Sequence, residues 1–223
     1  VAERGFDRFR EVGGLPSAEV ARMIAGDGID ILVDLKGYTG SARPDITALR
    51  PAPVQVNYLG YPGTMGAGFV DYIIADRTLI PPGAEAWFDE RIVFMPHCYQ
   101  PNDVIRDDGL ESPSRADLGL PAAGFVFCSF NATYKIEPGI FSVWMEILLA
   151  VPGSVLWLQA DDGAARENLR REAASRGVPA ERLVFAATLP KAHHLARLAC
   201  ADLFLDTHFV NAHTTASDAL WAG

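Results

Sequence analysis

Apolar positions in the first half of the chain come in short clusters, separated by glycine- and proline-rich loops. Pro16-Ser17-Ala18-Glu19 has the make-up of a helix start, and Val20, Met23 and Ile24 follow at helical spacing. Gly26-Asp27-Gly28 ends that helix, and the apolar run 29–35 predicts a buried strand. A turn-rich loop, 36–44, leads to a short helical stretch reaching Arg50, which Pro51 and Pro53 break. Strands are predicted at 54–59, 69–75 and 91–95, and Gly60 to Gly66 carries too many glycines and a proline to be either regular element.

The second half alternates more regularly. Strands at 125–130, 155–159, 183–185 and 203–206 are each followed by a helical pattern, at 138–150, 162–176, 191–201 and from His213 onward. Four such alternations predict an α/β fold with a parallel, doubly wound sheet. Residues 101–121 have little periodicity and much Asp, Pro, Ser and Gly, which marks a junction; two domains, 1–115 and 116–223, are expected.

In doubly wound sheets ligands bind beyond the carboxyl ends of the strands. The strand exits of the second half carry Asn131 to Lys135, Leu189 to His194, and His208 to Thr215. Two lysines, several histidines and the hydroxyl-rich start His213-Thr214-Thr215 thus fall on one rim. A helix start offers orphan N–H groups and a positive dipole end, so the rim suits a diphosphate. On Thr214 and Thr215 alone, plain helix capping explains the residues equally well; the two lysines favour the phosphate.

With 223 residues, 49% of them hydrophobic, the chain can bury a real core, and its formal net charge of -9 argues against a nucleic-acid backbone as partner. Cys98, Cys128 and Cys200 have no paired spacing, and the last two sit in apolar runs, as reduced buried thiols would. No apolar run approaches the roughly 20 residues of a membrane span. A soluble cytoplasmic location is expected, with no membrane partner. Val1 and the stop at Gly223 suggest a piece of a longer protein. His193-His194 invites a metal reading, but neighbouring helical side chains point about 100° apart and no third ligand is suitably spaced, so no metal is expected. Asp107-Asp108 and Asp161-Asp162 read as turn residues, His97 as a packed or capping histidine, and no dinucleotide fingerprint or P-loop follows any strand.

Nine ordered motifs, from about Gly26 to Gly223, resemble the catalytic region of the protein O-linked N-acetylglucosamine transferases. They are Gly37-Tyr-Thr-x-x-Ala-Arg43, Leu49-Arg-Pro-Ala-Pro-Val-Gln55, Leu59-Gly-Tyr-Pro-Gly-Thr64, Asp71-Tyr-Ile-Ile74, Met95-Pro-His97, Phe130-Asn-x-x-Tyr-Lys135, Val155-Leu-Trp-Leu158, Pro190-Lys191-x-x-His194 and His213-Thr-Thr-x-x-Asp218 with the Leu-Trp-Ala-Gly223 that follows. The plant SPINDLY-type fucosyltransferases share many of them.

The resemblance implies a GT-B-like fold, here parts of two Rossmann-like lobes, and an inverting transfer of N-acetylglucosamine from UDP-N-acetylglucosamine (UDP-GlcNAc) to Ser or Thr of proteins, with no metal and no cofactor beyond the donor. Residues 1–115 would be the end of the N-terminal catalytic lobe and 116–223 the first part of the nucleotide-sugar lobe. Lys135 would offset charge on the leaving diphosphate. Lys191, His194 and Arg197 would line the uridine and ribose, and His213, Thr214 and Thr215 would hold the phosphates. Asp218 would sit near the ribose or support that turn; Gly60, Pro62 and Thr64 would face the sugar. The resemblance also implies protein acceptors and tetratricopeptide repeats in the full-length protein. GDP-fucose-dependent transfer, or an inactive sugar-nucleotide-binding scaffold, stay open as alternatives. Three features depart from the pattern: Ala132 stands where animal enzymes carry Gln, nothing before Gly26 supplies the family's upstream histidines (Asp7 and Arg8 occupy that zone), and the repeats are absent.

Overall fold

A computed structural model of the chain describes residues 5–102 and 111–223, so Asp107-Asp108 lies outside the described residues. The chain divides into two compact units, Val1–Pro101 and Asn102–Gly223. The division falls at the start of the composition shift, earlier than residue 115. Arg115 shows why its segment goes with the second unit: its guanidinium donates to the Cys200 carbonyl at 3.1 Å and pairs with Asp202 at 2.7 Å.

In the first unit, strands β1 (Ile31–Asp34), β2 (Val54–Tyr58), β3 (Tyr72–Ala75) and β4 (Arg91–Phe94) lie parallel in the order β1-β2-β3-β4, with helices α1 (Ser17–Gly26) and α2 (Pro44–Ala48). The run 29–35 is not the buried strand its composition predicts. β1 is an edge, paired only with β2, and Ile31 is 59% and Leu35 52% exposed. β3 starts at Tyr72: Phe69 and Val70 belong to a turn closed by Val70 N–H on the Ala67 carbonyl, and Asp71 meets β2 through its N–H on the Gln55 carbonyl at 2.8 Å.

The second unit follows the predicted alternation: β5 (Val126–Ser129), α3 (Pro138–Ala150), β6 (Val155–Gln159), α4 (Gly163–Ser175), β7 (Leu183–Ala186), α5 (Lys191–Leu198), β8 (Leu203–Phe204) and α6 (Thr214–Ala222). All pairings are parallel, in the order β7-β6-β5-β8. The side-chain period of two sends Phe127, Leu156 and Leu158 into one core with Phe141, Trp144 and Leu148 of α3. Val126, Cys128, Phe130, Val155 and Trp157 enter a second core with Leu198 and Cys200. Cores on both faces explain why β5 and β6 read as continuous apolar runs. Pro138 opens α3, with the Glu137 carboxylate accepting from the Gly139 and Ile140 N–H groups, both at 2.6 Å. β8 is shorter and less buried than its sequence predicts, since it is an edge with Leu203 half exposed, and α5 ends at Leu198 rather than residue 201.

The parallel-sheet expectation holds in both units. The order β7-β6-β5-β8 adds a positional fact: the chain winds outward from β5 to β7, then crosses back to put β8 on the other side of β5. β5 and β8 therefore flank the topological switch point, where the two outgoing connections diverge and leave a crevice.

Candidate functional site

Lys135 leaves β5 on a short 3-10 turn, Thr133–Lys135, closed by its own N–H on the Ala132 carbonyl at 2.9 Å. Its ammonium donates to the carbonyl of Asn211, in the loop after β8, at 3.3 Å. The exits of the two switch-point strands thus meet at this lysine. A cleft of about 510 Å3 opens beside it, lined by Asn131, Lys135, Gln159, Asp161 and Thr215 among others.

The β8–α6 loop is tied down by Asp206. Its carboxylate accepts from Thr207 N–H at 2.7 Å, Ala212 N–H at 2.8 Å and the Asn131 side-chain amide at 3.2 Å. Thr207 Oγ1 donates to the Val210 carbonyl at 2.7 Å and the Asn211 amide to the Thr207 carbonyl at 2.6 Å. The loop so formed delivers His213, the N-cap residue of α6, with Thr214 and Thr215 in the first turn. Burial and the nearby Lys135 charge lower the pKa of His213, opposed by Asp206.

α5 supplies the third side of the site. Lys191 pairs through its ammonium with the buried carboxylate of Asp218, tying α5 to α6. Arg197 is 2% exposed, so it is not a lining group of the kind the resemblance implies. Its guanidinium lies 4.7 Å from the Phe130 ring centre, donates to the Ala187 carbonyl at 2.7 Å, and meets His194 Nδ1 at 2.9 and 3.2 Å. Only a neutral imidazole can accept there, which places the remaining proton of His194 on Nε2. Burial, then the Arg197 charge, pushes the His194 pKa down to about 4. Arg197 thus acts on the site through His194.

Gly60, Pro62 and Thr64 belong to the first unit, in the loop after β2. A Cβ on Gly60 would lie 2.2 Å from the Leu35 carbonyl oxygen, so only glycine fits. The amide of the buried Asn57 donates to the Tyr61 carbonyl at 2.9 Å and the Gly63 carbonyl at 3.3 Å. Thr64 Oγ1 donates to the buried Glu90 carboxylate at 2.7 Å, an internal bond that fixes the loop. Leu59, at φ 73°, holds a left-handed conformation costly for a branched side chain.

Sequence reasoning reached Lys135, Lys191, His194, His213, Thr214, Thr215 and Asp218, which the structure gathers around the α6 start in one unit. It did not reach Asp206 or Glu90. Asp206 directly ends a predicted strand, and the strand-exit rule could have singled it out; the partners of Glu90 are remote in sequence and gave no signal. Asp161 and Asp162 are turn residues as read: Asp162 caps α4 and Asp161 accepts from Thr188 Oγ1 and N–H, which hold its carboxyl below the usual range. Cys128 is buried, its thiol pushed up to about 12, and unfit as a nucleophile. Among the described residues no cluster of three or more His, Cys, Asp or Glu could hold a metal ion, and no helix is long and apolar enough to cross a membrane.

The family model described as glycosyl transferase family 41 matches residues 4–107 and 104–223. The chain belongs to that family. A curated relative from Arabidopsis thaliana, named as the probable UDP-N-acetylglucosamine–peptide N-acetylglucosaminyltransferase SEC, is 40% identical over 222 residues, covering 97% of this chain and 23% of the relative. The Caenorhabditis elegans UDP-N-acetylglucosamine–peptide N-acetylglucosaminyltransferase is 29% identical over 329 residues, covering 97% and 29%. A solved structure of a K341M mutant of the Thermobaculum terrenum O-GlcNAc transferase superposes with a TM-score of 0.87 at 35% identity, over 99% of this chain and 42% of that one. The family 41 chain therefore has the GT-B-like fold class, parts of two Rossmann-like lobes, and spans about a quarter of the length of these curated relatives.

Proposed function

We propose that the protein containing this family 41 chain transfers N-acetylglucosamine from UDP-N-acetylglucosamine to Ser or Thr hydroxyls of proteins. The observation that carries the proposal is the meeting of Lys135 with the Asn211 carbonyl at 3.3 Å, on the switch-point crevice beside the α6 start. An acceptor hydroxyl attacks the anomeric carbon and releases its proton to solvent, the bond to the diphosphate oxygen breaks, and UDP leaves with the configuration inverted. Negative charge on the diphosphate grows along this path, so a fixed ammonium stabilises the transition state more than the bound donor. Thr214, Thr215 and the N–H groups at the start of α6 supply ground-state phosphate contacts. His194, locked as an Nε2–H donor, presents that proton to the nucleoside. Lys191, paired with Asp218, holds α5 against α6. The ammonium and the helix terminus offset the diphosphate charge, so no divalent ion is required. A cytoplasmic location, protein acceptors and tetratricopeptide repeats elsewhere in the full-length protein complete the proposal.

Titration calorimetry on the full-length protein tests the nucleotide. UDP is expected to bind more tightly than GDP. Thr214→Ala, which removes one hydroxyl contact, is expected to weaken UDP about 2- to 10-fold. Tighter binding of GDP contradicts the assignment of the donor.

A further inference from the structure

We infer that Asp206 is a positioning residue for the catalytic lysine: its carboxylate registers the Lys135 turn against the start of α6. The inference rests on the function proposed above for this site. Asp206 sits at the exit of β8 and Asn131 at the exit of β5, the two strands of the switch point. The Asn131 side chain bridges them, donating from Nδ2 to Asp206 Oδ1 at 3.2 Å. The amide orientation follows from charge, because the opposite orientation would set its oxygen against a carboxylate. Asn131 is 1% exposed, so this part-buried bond is anchored from inside the fold at its Asn131 end.

The same Oδ1 atom accepts from the Thr207 and Ala212 N–H groups at 2.7 and 2.8 Å. The bonds to Thr207 and Ala212 close a loop around one oxygen and fix the carbonyl of Asn211, the residue just before Ala212. That carbonyl receives the Lys135 ammonium. Asp206 therefore holds Lys135 from two directions, through the Asn131 side chain four residues upstream and through the Asn211 carbonyl. It leaves His213 and Thr214 one and two residues beyond its last contact, Ala212. Charged acceptors form the stronger hydrogen bonds, and three convergent donors on one carboxylate oxygen make its geometry stiff.

Asp206→Asn keeps the size and an acceptor oxygen but removes the charge. A residue that only stiffened its own loop would lower thermal stability and leave turnover of the folded enzyme unchanged. A positioning residue must lower kcat through Lys135, so the two losses should not multiply. The experiment uses the full-length protein as wild type, Asp206→Asn, Lys135→Ala and the double variant. It measures kcat and KM for UDP-N-acetylglucosamine, and amide exchange across residues 131–136 and 207–213. The expected results are a roughly tenfold lower kcat for Asp206→Asn with KM changed less than threefold, and a double variant no slower than Lys135→Ala alone. Exchange should rise in both segments, with α3 and β6 unchanged. Unchanged kcat, multiplying losses, or faster exchange confined to residues 207–213 would overturn the inference. A wild-type protein that turns over no sugar nucleotide defeats the functional reading instead; the exchange measurement still decides whether Asp206 links the two segments.

Discussion

At the scale of single residues, the site depends on which groups are held neutral and which charged. His194 faces an arginine across 2.9 Å and is largely shielded from water, so its imidazole stays neutral down to about pH 4. In the unfolded chain the same group titrates near 6.5. Between those values the unfolded state binds more protons than the folded one, and stability rises with pH. The contribution is complete above about pH 6.5 and is lost as pH falls toward 4. Thermal melts across that window should show the slope, and His194→Gln should flatten it; an unaltered slope would show that His194 is not the group responsible. Lys135 plays a different part, with its ammonium held by a backbone carbonyl. Under the proposed mechanism, loss of its transition-state contact costs on the order of 3 kcal/mol, about 10²-fold in rate.

At the scale of elements, the loop after β2 shows how little freedom the first unit leaves its chain. Gly60 abuts the Leu35 carbonyl at a distance no Cβ tolerates, while Gly68 has open space around its missing side chain. Gly60→Ala should therefore cost about 1–3 kcal/mol through backbone displacement, and Gly68→Ala should stay within about 0.5 kcal/mol. Chemical denaturation of the two variants checks the contrast, and equal stabilities would contradict the packing described for Gly60. The elements themselves were largely legible in the sequence where burial was two-sided. β5 and β6 are apolar up to their last residues, Ser129 and Gln159, because cores lie on both faces. Edges were not legible: 29–35 and 203–206 look as apolar as central strands, and only the strand order reveals that β1 and β8 each have one partner. The same limit applied within the site. Arg197 looks like a surface cation of an amphipathic helix, yet tertiary packing buries it against Phe130 and Trp157. The hydroxyl of Thr64 looks available in a polar loop, but Glu90, 26 residues away, takes it.

At the scale of the whole molecule, membership of family 41 and the switch-point geometry both support the chemistry proposed above, transfer of a sugar with departure of a nucleoside diphosphate. The strand-exit rule located the rim from sequence because it depends only on element order. The contact between Lys135 and Asn211 needed the fold, since it spans 76 residues and exists only because β8 crosses back beside β5. The most direct measurement is the mass of an acceptor protein mixture incubated with the full-length protein and UDP-N-acetylglucosamine in excess EDTA. Acceptors should gain N-acetylhexosamine on Ser or Thr, and Lys135→Ala should slow the gain by about 10²-fold. Transfer of fucose from GDP-fucose instead, a requirement for a divalent ion, or an unaffected Lys135→Ala rate would contradict the account.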